Sequence, residues 1–203
     1  MAWETRIRHL SPSLLYYGLG AEALVLLTAQ LESGGTLPAF FQSAARLSGR
    51  VSLFFFALLL VYATLRPELN RADASFRVKM RLFRDFAVLH LIHWCLLALS
   101  VWYNGFELHP VRLAGGILAY VLIVSVPLIL QTSYLQVKQR ERLQSVYLFW
   151  VWFVFMMTYI TRLRGQSPDA GGSPEAWWPL AILTAGLMLW RWWIQATGRV
   201  KPA

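Results

Sequence analysis

Two histidines on one apolar stretch are the residues of this chain best placed to do chemistry. His90 and His93 stand three positions apart, so in a helix they share one face. Counted from the start of the apolar stretch at residue 82, at about 1.5 Å per residue, both reach roughly the middle of a bilayer. A neutral imidazole there can ligate a haem iron, carry a proton or donate a hydrogen bond to a neighbouring helix. The residues alone leave these three roles open.

A haem held on both faces needs a second ligand from another helix, because two histidines on one helix cannot grip opposite faces of one porphyrin. The other histidines, His9 and His109, lie in the N-terminal tail and in a loop. The adjacent Met156 and Met157 are the remaining candidates within an apolar stretch, since Met/His ligation of haem is known chemistry, although methionines in apolar helices more usually serve packing. We therefore expect no cofactor, with a b-type haem as the alternative, and leave any metal open.

Four ionisable residues also fall within apolar stretches, where each charge costs about 2.5–3.5 kcal/mol to insert. Arg84 and Asp85 lie close to the polar start of their stretch, so we expect them to pair or to reach the headgroups. Glu22 and Arg191 lie deeper in the first and last stretches. Either they pair with each other or Glu22 is protonated and hydrogen-bonded.

The elements that position these residues follow from composition. Of 203 residues, 57% are hydrophobic and 14% charged, against roughly 25% charged in an ordinary soluble domain. Six apolar runs are long enough to cross a membrane, which predicts an all-α integral membrane protein, a bundle of six transmembrane helices forming a single membrane domain over residues 1–203. The runs are 14–31, 51–65, 82–103, 113–130, 146–161 and 177–194. A water-soluble enzyme is excluded, and no phosphate-binding loop, Cys-x-x-Cys or His-Glu-x-x-His motif is present.

Basic residues are distributed unevenly between the two sides of this predicted bundle. Alternating the loops puts twelve Lys and Arg residues on the side of both termini and five on the other. The positive-inside rule then predicts a multi-pass protein of the cell inner (plasma) membrane with both termini in the cytoplasm. The net charge of +9 is explained by orientation, so we expect the lipid bilayer, and no nucleic acid, as a partner. The five residues of the less basic side are Arg46, Arg50, Arg112, Arg162 and Arg164.

Several short stretches resemble one family of membrane proteins. They are SGRVSL at 48–53, LRP at 65–67, FRVKMRLFRDFAVLHLIHW at 76–94, HPVRLAGG at 109–116, PLILQTS at 127–133, and RERL with VYL within 140–148. Together they are similar to the ferric-reductase-like transmembrane domain, in particular to small bacterial haem-binding subunits that pass electrons to periplasmic methionine sulfoxide reductase. The resemblance implies a ferric-reductase-like core over about 48–163, flanked by transmembrane helices at 14–31 and 177–194, and a role in electron transport.

In that family the fifth helix carries histidines that ligate haem. The match of Val-Tyr-Leu at 146–148 sets these positions near Leu143 and Met156, and neither is a histidine. His90 matches the family's ligand on the third helix. The resemblance therefore implies a familiar helical core in which the usual pair of histidine ligands is lost.

These observations lead to two principal hypotheses. The first is an accessory or scaffold subunit that works within a larger membrane complex with other membrane or membrane-associated subunits. The alternative is a transmembrane electron-transfer protein that binds one b-type haem through His90 together with Met156 or a ligand from a partner. A proton- or ion-coupled transporter would use the ionisable groups but does not fit the resemblance. Whether the chain is itself an enzyme stays open.

Overall fold

The chain forms six α-helices and one 3₁₀ turn over the residues that the computed structural model describes, and contains no β-strand there. These residues are 2–67, 69, 74–107, 110–165 and 174–198, with side chains described at 14–67, 69, 74–107, 110, 113–165 and 176–198. His109 lies outside them. The helices are α1 (Ala2–Glu32), α2 (Leu37–Leu65), α3 (Ala74–Asn104), α4 (Pro110–Gln131), α5 (Val137–Leu163) and α6 (Trp178–Ala196), and the 3₁₀ turn is Pro174–Trp177. The predicted all-α class is confirmed.

Proline and glycine mark where the helices begin and where the chain turns. Pro38 and Pro110 lie in the first turns of α2 and α4, where the backbone N–H that proline lacks would have no partner within the helix. Gly34 and Gly35 have φ angles of +56° and +83°, values that other residues adopt only with strain. The tight turn they form reverses the chain between α1 and α2, so these two helices pack side by side.

The second helix begins earlier than its hydropathy predicts. We expected a transmembrane run from residue 51, with the preceding residues in a loop, whereas α2 begins at Leu37. The extra turns bury small residues, among them Ser43, Ala44 and Ser48, against the rest of the bundle. Small side chains let helices approach closely, so this segment is held by packing although its average hydropathy is low. The prediction of a loop here is wrong for that reason.

Helices α2 and α3 form the centre of the bundle. Helix α2 packs against α1, α3 and α6, while α3 also contacts α1 and α4, and α5 lies between α4 and α6. Aromatic rings fill the space between the central helices: the Phe56 ring centroid is 5.6 Å from that of Phe86 and 5.4 Å from that of Phe155. One face of α3 is therefore enclosed by α2, α4 and α5, and this face carries His90 and His93.

Five helices, α1 to α5, are long and apolar enough to cross a membrane. Large apolar side chains are exposed on the outer faces of the bundle, as expected of a protein in contact with lipid. Examples are Tyr16, Leu24 and Leu27 on α1, Ile117, Val121 and Leu128 on α4, and Ile182, Leu189 and Trp192 on α6. The sixth predicted span coincides with α6, which is not among the five, so the count of six spans stays a prediction.

Candidate functional site

His90 is buried between three other helices. Its side chain is 8% exposed, and its Nδ1 atom forms a hydrogen bond with the hydroxyl of Ser52 on α2. The ring stacks on Tyr120 of α4, with centroids 4.8 Å apart and planes at 28°, and meets the ring of Phe155 of α5 edge-on at 5.7 Å. Because Ser52 engages Nδ1, Nε2 is the nitrogen of His90 left for any further chemistry.

His93 lies one helical turn further along the same face, with its ring centroid 5.5 Å from that of His90. It packs directly on Gly49 of α2, where an added Cβ atom would stand 3.1 Å from the His93 Cε1 atom. Its Nδ1 atom is buried and has no hydrogen-bond partner among the described residues. Because Gly49 has no side chain, the imidazole of His93 fits between α2 and α3.

Both histidines line a cavity of about 220 Å³ between α2, α3, α4 and α5. At roughly 30 Å³ per molecule this is room for about seven waters. Its walls are largely apolar or small, and no aspartate or glutamate is among the described residues that line it. The lining includes Ala45, Gly49, Leu97, Gly116, Ala119, Tyr120, Ile123, Val151, Val154, Phe155, Thr158 and Tyr159.

Three arginines line the cavity at the end of the bundle where α2, α4 and α6 begin. Arg46 is fixed by Glu32 of α1, with Nη2 2.8 Å from the carboxylate oxygen, and Glu32 also accepts a hydrogen bond from Ser43. Arg50 and Arg162 both lie over the indole of Trp177, with guanidinium carbons 5.4 and 4.4 Å from its centroid.

Trp177 is itself 1% exposed, so the two guanidinium groups are held against a fixed surface. We refer to Arg46, Arg50 and Arg162 as the arginine group.

The sequence pattern places Arg46, Arg50 and Arg162 on the less basic side of the membrane but does not reveal that they line the cavity. Arg46 and Arg50 are four residues apart, which is the spacing of one helix face, and this was the available signal. It was obscured because residues 37–50 were taken for a loop. The position of Trp177 depends on how α6 packs back on α2 and α5, which no local pattern reveals.

Met156 is not at this site. The α5 residues that line the cavity are Val151, Val154, Phe155, Thr158, Tyr159 and Arg162, which form one helix face, and among the described lining residues α5 supplies no histidine or methionine. One residue step turns an α-helix by about 100°, so Met156 points away from the face to which Phe155 belongs. Across the cavity the described lining residues therefore offer no histidine or methionine, so these side chains do not supply the bis-His or Met/His ligand pair of a b-type haem.

Glu22 and Arg191 are not among the residues that line the cavity, and they do not bond each other. Ser48 donates a hydrogen bond of 2.9 Å to Glu22, whereas Arg191 donates one of 3.1 Å to the hydroxyl of Thr64. The possibility that Glu22 pairs with Arg191 is thus wrong, because each bonds a different hydroxyl of α2. The second carboxylate oxygen of Glu22 is buried and has no hydrogen-bond partner among the described residues.

Arg84 and Asp85 form an ion pair of 3.0 Å. Asp85 is fully buried, whereas the Arg84 side chain is 58% exposed, so only the aspartate of this pair is a buried ionisable residue.

A second buried polar group lies near the start of α5. Arg140 donates to the backbone oxygen of Thr132 at 2.8 Å, and Gln144 and Tyr147 are buried beside it along the helix. The Gln144 Oε1 and Tyr147 Oη atoms have no hydrogen-bond partner among the described residues. Sequence analysis did not single these residues out. No group of three or more His, Cys, Asp or Glu side chains in the described part of the chain is arranged to hold a metal ion.

Comparison with known proteins gives no match, whether with protein-family models, with curated proteins or with solved structures. Fold and site therefore define this chain as a helical protein with several helices able to span a membrane and a histidine-lined cavity between four of them. The resemblance to the ferric-reductase-like family stays a prediction.

Proposed function

We propose that this chain is a multi-pass accessory subunit of the inner membrane. In this proposal it has a ferric-reductase-like helical core, works without a haem held on both faces by its own side chains, and acts within a larger membrane complex. Six spans with both termini in the cytoplasm are part of the proposal and rest on hydropathy and on the distribution of basic residues.

One observation carries the proposal: both imidazoles of the cavity belong to α3, and the facing wall of α5 is made of valine, phenylalanine, threonine, tyrosine and arginine. Haem with two axial protein ligands needs donors on opposite sides of the porphyrin plane. His90 and His93 lie side by side, with centroids 5.5 Å apart, and cannot both serve one iron in this way. A role in docking or stabilising other subunits does not require that ligand pair.

The surface of the bundle supports a role among other membrane proteins. Exposed aromatic side chains on α5 and α6 include Phe149 and Phe153 with Trp192 and Trp193. Large aromatic residues are enriched at protein interfaces and contribute much of the binding energy where they are buried by a partner. In lipid such rings are tolerated as well, so the complex itself has to be tested by isolation.

The absorption spectrum of the purified protein tests the proposal. The chain should be isolated alone and together with the proteins that copurify with it under mild detergent, and each sample assayed for haem by its Soret band and by pyridine haemochrome. We expect both samples to lack stoichiometric haem. A stoichiometric Soret band that is lost in His90→Ala and kept in the matched variant Met157→Leu would refute the proposal.

The second candidate is electron transfer through one b-type haem bound by His90, and the observation that favours it is the presence of two buried imidazoles on a cavity wall. In this candidate the second axial ligand of the haem comes either from Met156 or from a partner protein. Loss of the Soret band in Met156→Leu would point to Met156, against the geometry described above. Loss of the band only when a partner is stripped away would point to a ligand from that partner. A colourless sample in both preparations contradicts this candidate.

Sidedness is tested by labelling. In a Cys95→Ser background, single cysteines at Thr36 and Gln136 lie in turns at opposite ends of the bundle. In intact cells a membrane-impermeant maleimide should react with Thr36→Cys and spare Gln136→Cys. The reverse pattern would contradict the proposed orientation.

A further inference from the structure

The cavity combines a charged entrance with an apolar interior, and this combination points to a ligand of a definite chemical kind. We propose that the cavity binds a lipophilic anion: the carboxylate or phosphate group lies at Arg50 and Arg162, and part of the apolar body lies between α3, α4 and α5. The inference rests on the proposed function only in requiring that haem does not fill the cavity.

The entrance is built to hold an anion. Arg50 and Arg162 come from different helices, and the guanidinium carbon of each lies over the indole of Trp177, at 5.4 and 4.4 Å from its centroid. Both guanidinium carbons lie within 5.4 Å of one indole centroid, so their like charges repel each other, and an anion close to both lowers that repulsion. The Arg50 Nε atom is buried and has no hydrogen-bond partner among the described residues, so it has a donor left for a ligand.

The arginines are positioned before any ligand arrives. Trp177 is almost completely buried, and its ring lies against that of Tyr159, with centroids 6.2 Å apart. A guanidinium over an indole face is attracted by the ring quadrupole. Holding flexible arginine side chains in place in this way lowers the entropy that binding must otherwise overcome.

The interior selects an apolar body of limited size. Below the arginines the walls are Ala119, Ile123, Val151, Val154 and Phe155, and the volume of about 220 Å³ lies below the range of roughly 300–1,000 Å³ typical of drug-sized ligands. Only a short alkyl segment or one ring fits inside this volume. A small inorganic anion alone would leave this apolar surface unused.

Arg46 is not assigned to the ligand. Its guanidinium is engaged by Glu32 and approaches the hydroxyl of Ser43 at 3.3 Å, so its charge is already matched. Arg164 offers a matched control for the other two. It follows Arg162 by two positions, is exposed, and is not among the residues that line the cavity.

Binding should be measured with the full chain in phosphatidylcholine nanodiscs, by calorimetric titration of octyl phosphate, octanoate, 1-octanol and inorganic phosphate, with protein-free nanodiscs as the blank. We expect both octyl anions to bind at least about tenfold more tightly than 1-octanol, as for a hydrogen-bonded charge. We expect inorganic phosphate to bind at least about tenfold more weakly than octyl phosphate, because it lacks the apolar part. Equal binding of octyl phosphate and 1-octanol, or of octyl phosphate and inorganic phosphate, overturns the inference.

Variants then locate the site. Arg50→Gln and Arg162→Gln should each weaken octyl phosphate binding about tenfold or more, while Arg164→Gln stays within about twofold of the unmodified chain. If Arg50→Gln fails to fold, Ala119→Leu replaces it as the test: it keeps both arginines and fills the cavity, and should also weaken binding about tenfold. Equal losses in Arg164→Gln and Arg162→Gln, or unchanged binding in Ala119→Leu, would overturn the proposed location.

Changing the lipid of the nanodisc distinguishes two natural sources of the anion, a phospholipid headgroup and a free lipophilic acid. Competition by phosphatidylglycerol in the nanodisc supports a phospholipid headgroup as the natural ligand, and its absence supports a free lipophilic acid. Both results are consistent with the inference. A haem-containing preparation refutes the proposed function, whereas a colourless preparation that does not discriminate octyl phosphate from 1-octanol refutes only this inference.

Discussion

Gly18 is the point at which α1 touches both central helices, and replacing it by alanine should loosen the bundle. A Cβ atom at Gly18 would stand 2.6 Å from Leu89 Cδ1 and 2.9 Å from Phe55 Cζ. These side chains are 0% and 5% exposed, so they cannot move away into open space. Adding a methyl group to such a packed site typically costs about 1–3 kcal/mol.

A matched substitution isolates this packing cost. Gly20 lies two residues further along the same helix, and nothing lies within 4 Å of a Cβ atom built there. Both substitutions gain the higher helix propensity of alanine, about 0.8–1.0 kcal/mol in aqueous peptides, and both act on the same segment. The difference in unfolding free energy between Gly18→Ala and Gly20→Ala therefore reports the contact alone, and we expect it to be about 1–3 kcal/mol.

Unfolding of both variants should be followed by tryptophan fluorescence in one detergent, on heating and on titration with SDS. For a chain of this size about 1 kcal/mol corresponds to a shift in Tm of roughly 2–4 °C. Gly20→Ala should match or exceed the stability of the unmodified chain, and Gly18→Ala should fall below it. Coincident unfolding curves for the two variants would refute the close approach of α1 to Leu89 and Phe55.

Three further predictions concern hydroxyl and glycine contacts of α2. Ser48→Ala removes the donor to Glu22 and should lower the unfolding free energy by about 1–3 kcal/mol, most of which returns in Ser48→Ala/Glu22→Leu; an unchanged single variant would contradict the contact. Thr64→Val removes the acceptor for Arg191 and should cost about 1.5–3 kcal/mol, while Thr64→Ser retains stability; equal behaviour of Val and Ser would show that the hydroxyl is not used. Gly49→Ala presses on the His93 ring and should shift its ¹⁵N resonances, whereas Gly116→Ala, which meets no atom within 4 Å, should not; identical spectra would place His93 elsewhere.

The helices themselves could be predicted from the sequence because their signal is local. Long apolar runs bounded by glycine and proline marked all six, and α4 begins at Pro110 beside the predicted start at residue 113. The start of α2 could not be found in this way. Its first turns combine arginines with small residues, and only the facing helices make burial of Ser43 and Ser48 favourable.

Only part of the candidate site could be predicted from the sequence. The pairing of His90 and His93 on one face follows from their spacing, and the structure lines the cavity with both. Arg50, Arg162 and Trp177 come together from three segments far apart in the chain. The direction of Met156 depends on which face of α5 turns inward, and the unbroken apolar run at 146–157 does not encode that in its pattern.

The contacts that fasten the C-terminal part to α2 have a consequence for biosynthesis. Thr64 and Arg191 are 127 positions apart, and Arg50 and Trp177 are similarly distant in the chain. At the usual 5–20 residues per second of synthesis, α2 must reside in the membrane for about 6–25 s before either partner has been made. During that interval Arg50 has no indole to lie on and Thr64 has no guanidinium to bind. The contacts that fasten this end of α2 are therefore among the last to form as the chain is made.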